Sequence, residues 1–168
     1  YTAATKADQV SVLINNAMIT AISTYVAQNF GAHNMERIKK GVRASLIQTE
    51  ALNLLMCVGM LLLRRPIVYL FISSPSAEII SFSNGYLNIV APCYFMLGVL
   101  AVYRTAVQSM QNTAAPFAAC MVELVMRIGC TMLLTLWLGY YGVCIASPLA
   151  WLGACAIVVP AYYITLRK

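Results

Sequence analysis

The sequence predicts an all-α, polytopic membrane protein, and three observations carry that prediction. Of 168 residues, 61% are hydrophobic and 10% charged, with a mean hydropathy of +0.78; a soluble domain carries about a quarter charged residues to keep its surface wet. The charges are gathered between long apolar runs, the pattern of a chain whose solvent is the bilayer. Third, Arg37, Lys39, Lys40 and Arg43 crowd one short connection, and short loops rich in Lys and Arg stay cytoplasmic during insertion. The net charge of +6 therefore reports topology and not nucleic-acid binding, because the basic residues border apolar spans instead of lining one polar face.

A hydrocarbon core takes about 20 residues to cross, and five such spans read off in order, at about 10–30, 44–63, 86–107, 117–138 and 143–166. The first holds Asn15, Asn16, Thr20, Ser23 and Thr24, so it should face protein or water instead of lipid. Ser23, Ala27 and Gly31 recur every four residues as a stripe for close helix approach, and Gly31 with Asn34 supplies the stop. The second span ends on Arg64, Arg65 and Pro66. These and Lys6 would lie outside, but Arg37, Lys39, Lys40 and Arg43, joined by Arg167 and Lys168, outnumber them. That places loop 33–43 and the C-terminus in the cytoplasm and the Tyr1 end outside, in a multi-pass protein of the plasma membrane.

Residues 67–72 are apolar but too short to cross, which predicts an interfacial segment, then a turn where Ser74 caps and Pro75 takes the first helical position. Pro92 removes one backbone hydrogen bond from the third span and should bend it, with Gly98 a further soft point. A polar turn at 111–115 precedes Pro116 and the fourth span. Gly139, Tyr140, Tyr141 and Gly142 then turn the chain, and with Trp137 they predict an aromatic patch at the membrane face opposite the basic loop. The fifth span carries Gly142, Ala146, Ala150 and Ala154 at four-residue spacing and should pack closely along them.

The six cysteines all fall in apolar spans, with no CxxC and no histidine at ligand spacing. They read as small buried hydrophobes, which predicts no metal, no disulfide framework and no cofactor; His33 reads as a solvated loop residue. Chemistry inside a bilayer belongs to ionisable groups, each of which costs a few kcal/mol at mid-depth unless paired or hydrated. Four stand inside spans: Glu50, Arg104, Glu123 and Arg127. Glu123 and Arg127 share a face in the favourable order, as a neutralised packing pair or as part of an ion path. Glu50 shares a face with Asn53 and has no basic partner three or four residues away. By depth all four charges could meet in one network joining the second, third and fourth spans. Asn15 and Asn16 complete the candidate substrate path, and nothing suggests an enzyme.

Several stretches together resemble the multidrug and toxic compound extrusion (MATE) family. They are YTAATKADQV from Tyr1, TYVAQNFGAHNMERIKKG from Thr24, YRTAVQSMQNTAAP from Tyr103, VELVMRIG from Val122 and GYYGVCIASPLAW from Gly139. Their order and spacing follow the carboxy-terminal lobe of that family from its second helix to its last. The resemblance implies five transmembrane helices of a six-helix lobe, with one helix and the N-terminal lobe of the same protein as missing partners. It implies efflux of organic, often cationic small molecules by alternating access, with sodium or protons as the coupling ion. A lipid or polysaccharide flippase shares the architecture, and a non-transporting structural subunit is the rival from another class. Some members of the family hold a coupling carboxylate in the third helix of this segment; residues 93–102 contain no acid, so coupling would rest on other residues or on the other lobe.

Overall fold

Inside a bilayer every backbone polar group must find its partner within the chain, so apolar runs of this length fold as helices. The computed structural model describes residues 2–62 and 77–167, with side chains for 16–62 and 84–167. The expectations at Arg64, Arg65, Pro66, residues 67–72, Ser74 and Pro75 lie outside the described residues, as do the side chains of Lys6 and Asn15. The helices are α1 (Thr2–Gly31), α2 (Met35–Leu62), α3 (Ala77–Val90), α4 (Tyr94–Ser109), α5 (Ala114–Leu138) and α6 (Tyr140–Thr165), and one 3-10 turn, Ala91–Cys93, separates α3 from α4. No strand occurs among the described residues.

Four stretches are long and apolar enough to cross a membrane: Met35–Leu62, Asn84–Ser109, Ala114–Leu138 and Tyr140–Thr165. The chain is a multi-pass membrane protein. Helix α1 is not one of the four, although its 30 residues reach about 45 Å at the α-helical rise. Its Asn16, Thr20 and Thr24 are exposed and recur every four residues. The Thr20 hydroxyl donates to Asn16 O at 3.0 Å and that of Thr24 to Thr20 O at 3.3 Å, which partners both hydroxyls within the helix.

Two turns at one end of the bundle are built alike. In the first, His33 takes a positive φ of 53°, Asn34 N donates back to Asn29 O at 2.9 Å and His33 N to Phe30 O at 3.0 Å. In the second, Gln111 has φ 62°, with Asn112 N on Val107 O at 3.3 Å and Gln111 N on Gln108 O at 3.0 Å. Each is a left-handed helix stop that satisfies orphan carbonyls. The asparagine after each stop starts the next helix: Asn34 Oδ1 accepts from Arg37 N at 3.1 Å and Asn112 Oδ1 from Ala115 N at 3.4 Å. This corrects the basic loop, because the stretch from Met35 onward, including Arg37, Lys39, Lys40 and Arg43, is already the first turns of α2. The capped start carries the helix through the charged stretch, and Lys40 pairs with Glu36 one turn earlier at 3.1 Å.

Helix α4 is the axis, packed against α1, α2 and α6, while α6 lies along α5, α4 and α3. The end of α6 joins the first bundle end through Thr165, whose hydroxyl accepts from Asn112 Nδ2 at 2.9 Å. The stripe on α6 is a contact seam, since Gly142, Ala146, Ala150 and Ala154 are all buried. A Cβ at Gly142 would overlap the backbone of Leu134 and Thr135 in α5. The stripe on α1 is not: a Cβ at Gly31 would meet nothing within 4 Å, Ala27 is exposed, and Ser23 alone of the three is joined to a neighbouring helix, accepting from the Ser109 hydroxyl at 3.3 Å. Small residues permit close approach but do not supply the partner. The cysteines are likewise less uniform than expected. Cys144 is buried, Cys120 is exposed and the rest are intermediate, because α5 turns an apolar face outward where lipid is the natural neighbour. Leu133, Leu136 and Trp137 stand on that face.

Candidate functional site

The inward stripe of α2 is Ile38, Val42, Thr49, Asn53 and Met60, so a polar pair interrupts an otherwise apolar contact with α4. Space for that pair comes from Gly98. A Cβ there would overlap Asn53 Nδ2, would lie 2.6 Å from Glu50 Oε1 and 3.1 Å from Thr49 Cγ2. Gly98 is thus a point of close packing and not the soft point expected from sequence. The other expectation for this span holds: at Pro92 the helix gives way to the turn Ala91–Cys93 before resuming at Tyr94, the proline having no N–H to continue the ladder. Asn53 reaches this interruption, donating from Nδ2 to Tyr94 O at 3.2 Å.

Glu50 lies beside it on α2. Both of its carboxylate oxygens are buried, and neither has a hydrogen-bond partner of good geometry among the described residues; no ion pair reaches it there. It opens on a cavity of about 260 Å³ shared with Asn53, Leu54, Cys57, Pro92 and Phe95. An intramembrane acid, an amide and the 3-10 turn of a helix therefore meet at one small void.

The second cluster has the opposite character. Glu123 of α5 is held from both sides, by Arg104 of α4 (Nη2 to Oε2, 2.7 Å) and by Arg127 one turn along α5 (Nη2 to Oε1, 2.9 Å). Both are charge-assisted hydrogen bonds at short range, the Arg127 one being the more exposed to solvent. Arg127 retains 47% of its side-chain exposure against 18% for Glu123, so the carboxylate is the covered centre and Arg127 the open arm. With two guanidiniums on one carboxylate the cluster carries one net positive charge.

Of the residues singled out by sequence, the structure joins Arg104, Glu123 and Arg127 in one network and Glu50 with Asn53 in another place. Glu50 does not enter the ion-pair network. The reason is helical geometry: Gly98 and Arg104 are six residues apart on α4, which turns them about 120° from each other, so one faces α2 and the other α5. Asn16 is on the exposed polar face of α1. Sequence reasoning missed a group of three tyrosines. Tyr103 meets Tyr162 edge-on at 5.0 Å between ring centroids, and Tyr163 lies 5.3 Å from Tyr162 and 6.4 Å from Tyr103. The adjacent Tyr162 and Tyr163 were a visible signal; the partner on α4 was not. Among the described residues no cluster of three or more His, Cys, Asp or Glu could hold a metal ion.

Comparison with known proteins adds a family and a relative. The chain is 24% identical to an FAD transporter of Shewanella oneidensis over 99% of its own length, and it spans 36% of that protein. No solved structure matches. The MatE family model matches residues 1–133, and the chain belongs to the MatE family.

Proposed function

We propose that the chain forms five of the six helices in the carboxy-terminal lobe of a secondary transporter that exports organic solutes by alternating access. In this reading α1 also crosses, as the first of the five spans, its polar face turned toward the rest of the protein. The bundle end that carries Arg37, Lys39, Lys40, Arg43 and Arg167 is cytoplasmic, and an N-terminal lobe completes the pathway. The observation that carries the reading is Glu50, an acid at membrane depth with no countercharge among the described residues, beside a helix interrupted by a 3-10 turn. Intramembrane acids of that kind mark ion routes, and helix breaks in transporters gather at the sites they carry. Glu50 and Asn53 are then where a coupling cation, sodium or proton, meets this lobe, while Glu123 with its two arginines holds α4 to α5.

The test is efflux from cells expressing this chain alone, the chain with the missing upstream part supplied separately, and the same pair with Glu50→Gln. The expected result is no efflux from the chain alone, efflux from the pair, and loss of gradient-driven efflux in the variant at unchanged abundance. Efflux from the chain alone would overturn the half-transporter reading, and full coupled efflux from the variant would remove Glu50 from it. Reporter fusions after Lys40 and Lys168 should read cytoplasmic and one after Tyr140 external.

A second reading concerns the solute. The net positive charge of the Arg104, Glu123 and Arg127 cluster suits an anionic group better than a cationic drug, and the similar protein from Shewanella oneidensis is named for FAD. Competition between a flavin nucleotide and a cationic dye in the efflux assay separates the two solute classes.

A further inference from the structure

The tyrosine group floors a recess of about 380 Å³ between α2, α4 and α6, edged by Lys39, Arg43 and Leu46. We propose that this recess holds the phosphate head group of an anionic membrane lipid. Four observations meet there, and none depends on which solute is carried.

The first is charge. Lys39 and Arg43 are four residues apart, on one face of α2. Both are exposed, and neither makes an ion pair or side-chain hydrogen bond among the described residues. The nearest acid along the chain, Glu36, is taken by Lys40 at 3.1 Å on the neighbouring face. Two cations thus line one concavity with no anion among the described residues paired to them.

The second is depth. Lys39 and Arg43 stand in the first turns of α2, and Tyr162 and Tyr163 in the last turn of α6. Six residues separate Tyr103 from the end of α4, a rise of about 9 Å. The recess therefore lies at the level where an apolar span meets the polar head groups, the level tyrosines favour. The third is the tyrosines themselves. Tyr162 is 3% exposed and Tyr163 53%, so one ring is fixed in the wall while the other lines the recess with half of its surface open. The fourth is the change of character along α2: past Arg43 the recess is lined by Leu46, and Ile47 is 62% exposed. A phosphodiester between the two cations would have its glycerol against the tyrosines and its acyl chains along that apolar stretch. Free phosphate would use the cations alone. Basic recesses between membrane helices are the usual seats of anionic head groups.

The experiment takes the protein purified in a neutral detergent and stripped of lipid, and counts bound lipid by native mass spectrometry during titration. Phosphatidylglycerol, phosphatidylcholine of the same chain length and inorganic phosphate are the three probes. Two basic residues at a membrane surface favour the anionic lipid by about thirtyfold, and that preference is the expected result. Lys39→Gln with Arg43→Gln should abolish it, Lys39→Arg with Arg43→Lys should keep it, and Lys40→Gln should leave it unchanged, with helical content by circular dichroism confirming folded protein throughout. The wild-type comparison of the two lipids needs no variant and stands even if the double substitution fails to fold. Equal binding of both lipids, a preference that survives loss of both cations, or displacement of phosphatidylglycerol by millimolar phosphate would overturn the proposal.

Discussion

Glu123 and Glu50 are both acids inside apolar helices, and the fold treats them in opposite ways. Glu123 is clamped by Arg104 and Arg127 at 2.7 and 2.9 Å, whereas Glu50 packs against Gly98 with neither carboxylate oxygen in an ion pair or a well-formed hydrogen bond among the described residues. The first arrangement pairs charge across two helices, and removing its carboxylate leaves two stranded guanidiniums that must be resolvated in a medium with little water. The second places an acid whose carboxylate oxygens are buried beside a small cavity, with no ion pair among the described residues. The two carboxylates thus meet different faces of α4, one ion-paired to it through Arg104 and the other packed against it at Gly98.

The largest effect expected from breaking this comparison is at the clamp. Glu123→Gln strands two guanidiniums and should lower stability by about 3 kcal/mol, read as a fall in the thermal midpoint in detergent. Adding Arg127→Gln should recover part of the loss and adding Arg104→Gln most of the rest, because each step removes a stranded charge. A triple variant no more stable than the single one would show that Glu123 acts through its shape and not its pairing.

The two glycine contacts sharpen the comparison at smaller scale. At Gly142 a new methyl would meet the α5 backbone at Leu134 and Thr135, which cannot move aside without separating the helices, so Gly142→Ala should cost about 2 kcal/mol. At Gly98 the methyl would meet the tips of Asn53 and Glu50, which can turn away, and Gly98→Ala should cost about 1 kcal/mol. Thermal midpoints of the two variants rank them. The reverse order would mean that the Glu50 and Asn53 side chains are as firmly held as backbone.

These contrasts show what the sequence could and could not convey. The helices follow from hydropathy, the Glu123 and Arg127 pair from four-residue spacing, and the break near Pro92 from the missing N–H. Each is local chemistry. Arg104 is 19 residues from Glu123, and the contact exists only because α5 doubles back beside α4. Gly98 looked like a weakness because a lone glycine within a helix is one; only the packing of α2 showed that it makes room. The Ser23, Ala27 and Gly31 stripe and the α6 stripe have the same spacing, yet only the α6 stripe is a seam, since the partner decides and the partner is elsewhere in the chain. The charged run from Arg37 to Arg43 reads as loop by polarity, but the cap at Asn34 outranks polarity.

The smallest stability effect, and the one that bears most on function, is expected at Glu50. Glu50→Gln keeps the size and shape of the side chain and, because no cation among the described residues is paired with Glu50, strands no opposite charge there. The folded fraction should therefore stay within about 0.5 kcal/mol of wild type, the ordinary range for a substitution that breaks no pairing. Glutamine also offers an amide N–H₂ that can turn toward the cavity or toward Asn53 without disturbing the Asn53 bond to Tyr94 O. If Glu50 were held by a hidden partner, the substitution would instead lose stability on the scale of Glu123→Gln. The informative measurement is both variants side by side, with thermal midpoint and gradient-driven efflux read on the same preparations. A Glu50 variant that folds normally and has lost coupling, beside a Glu123 variant that has lost stability, is the pattern two separate roles require. Comparable loss of stability in both would mean that the two acids do the same structural job, and the difference in their surroundings would carry no functional division.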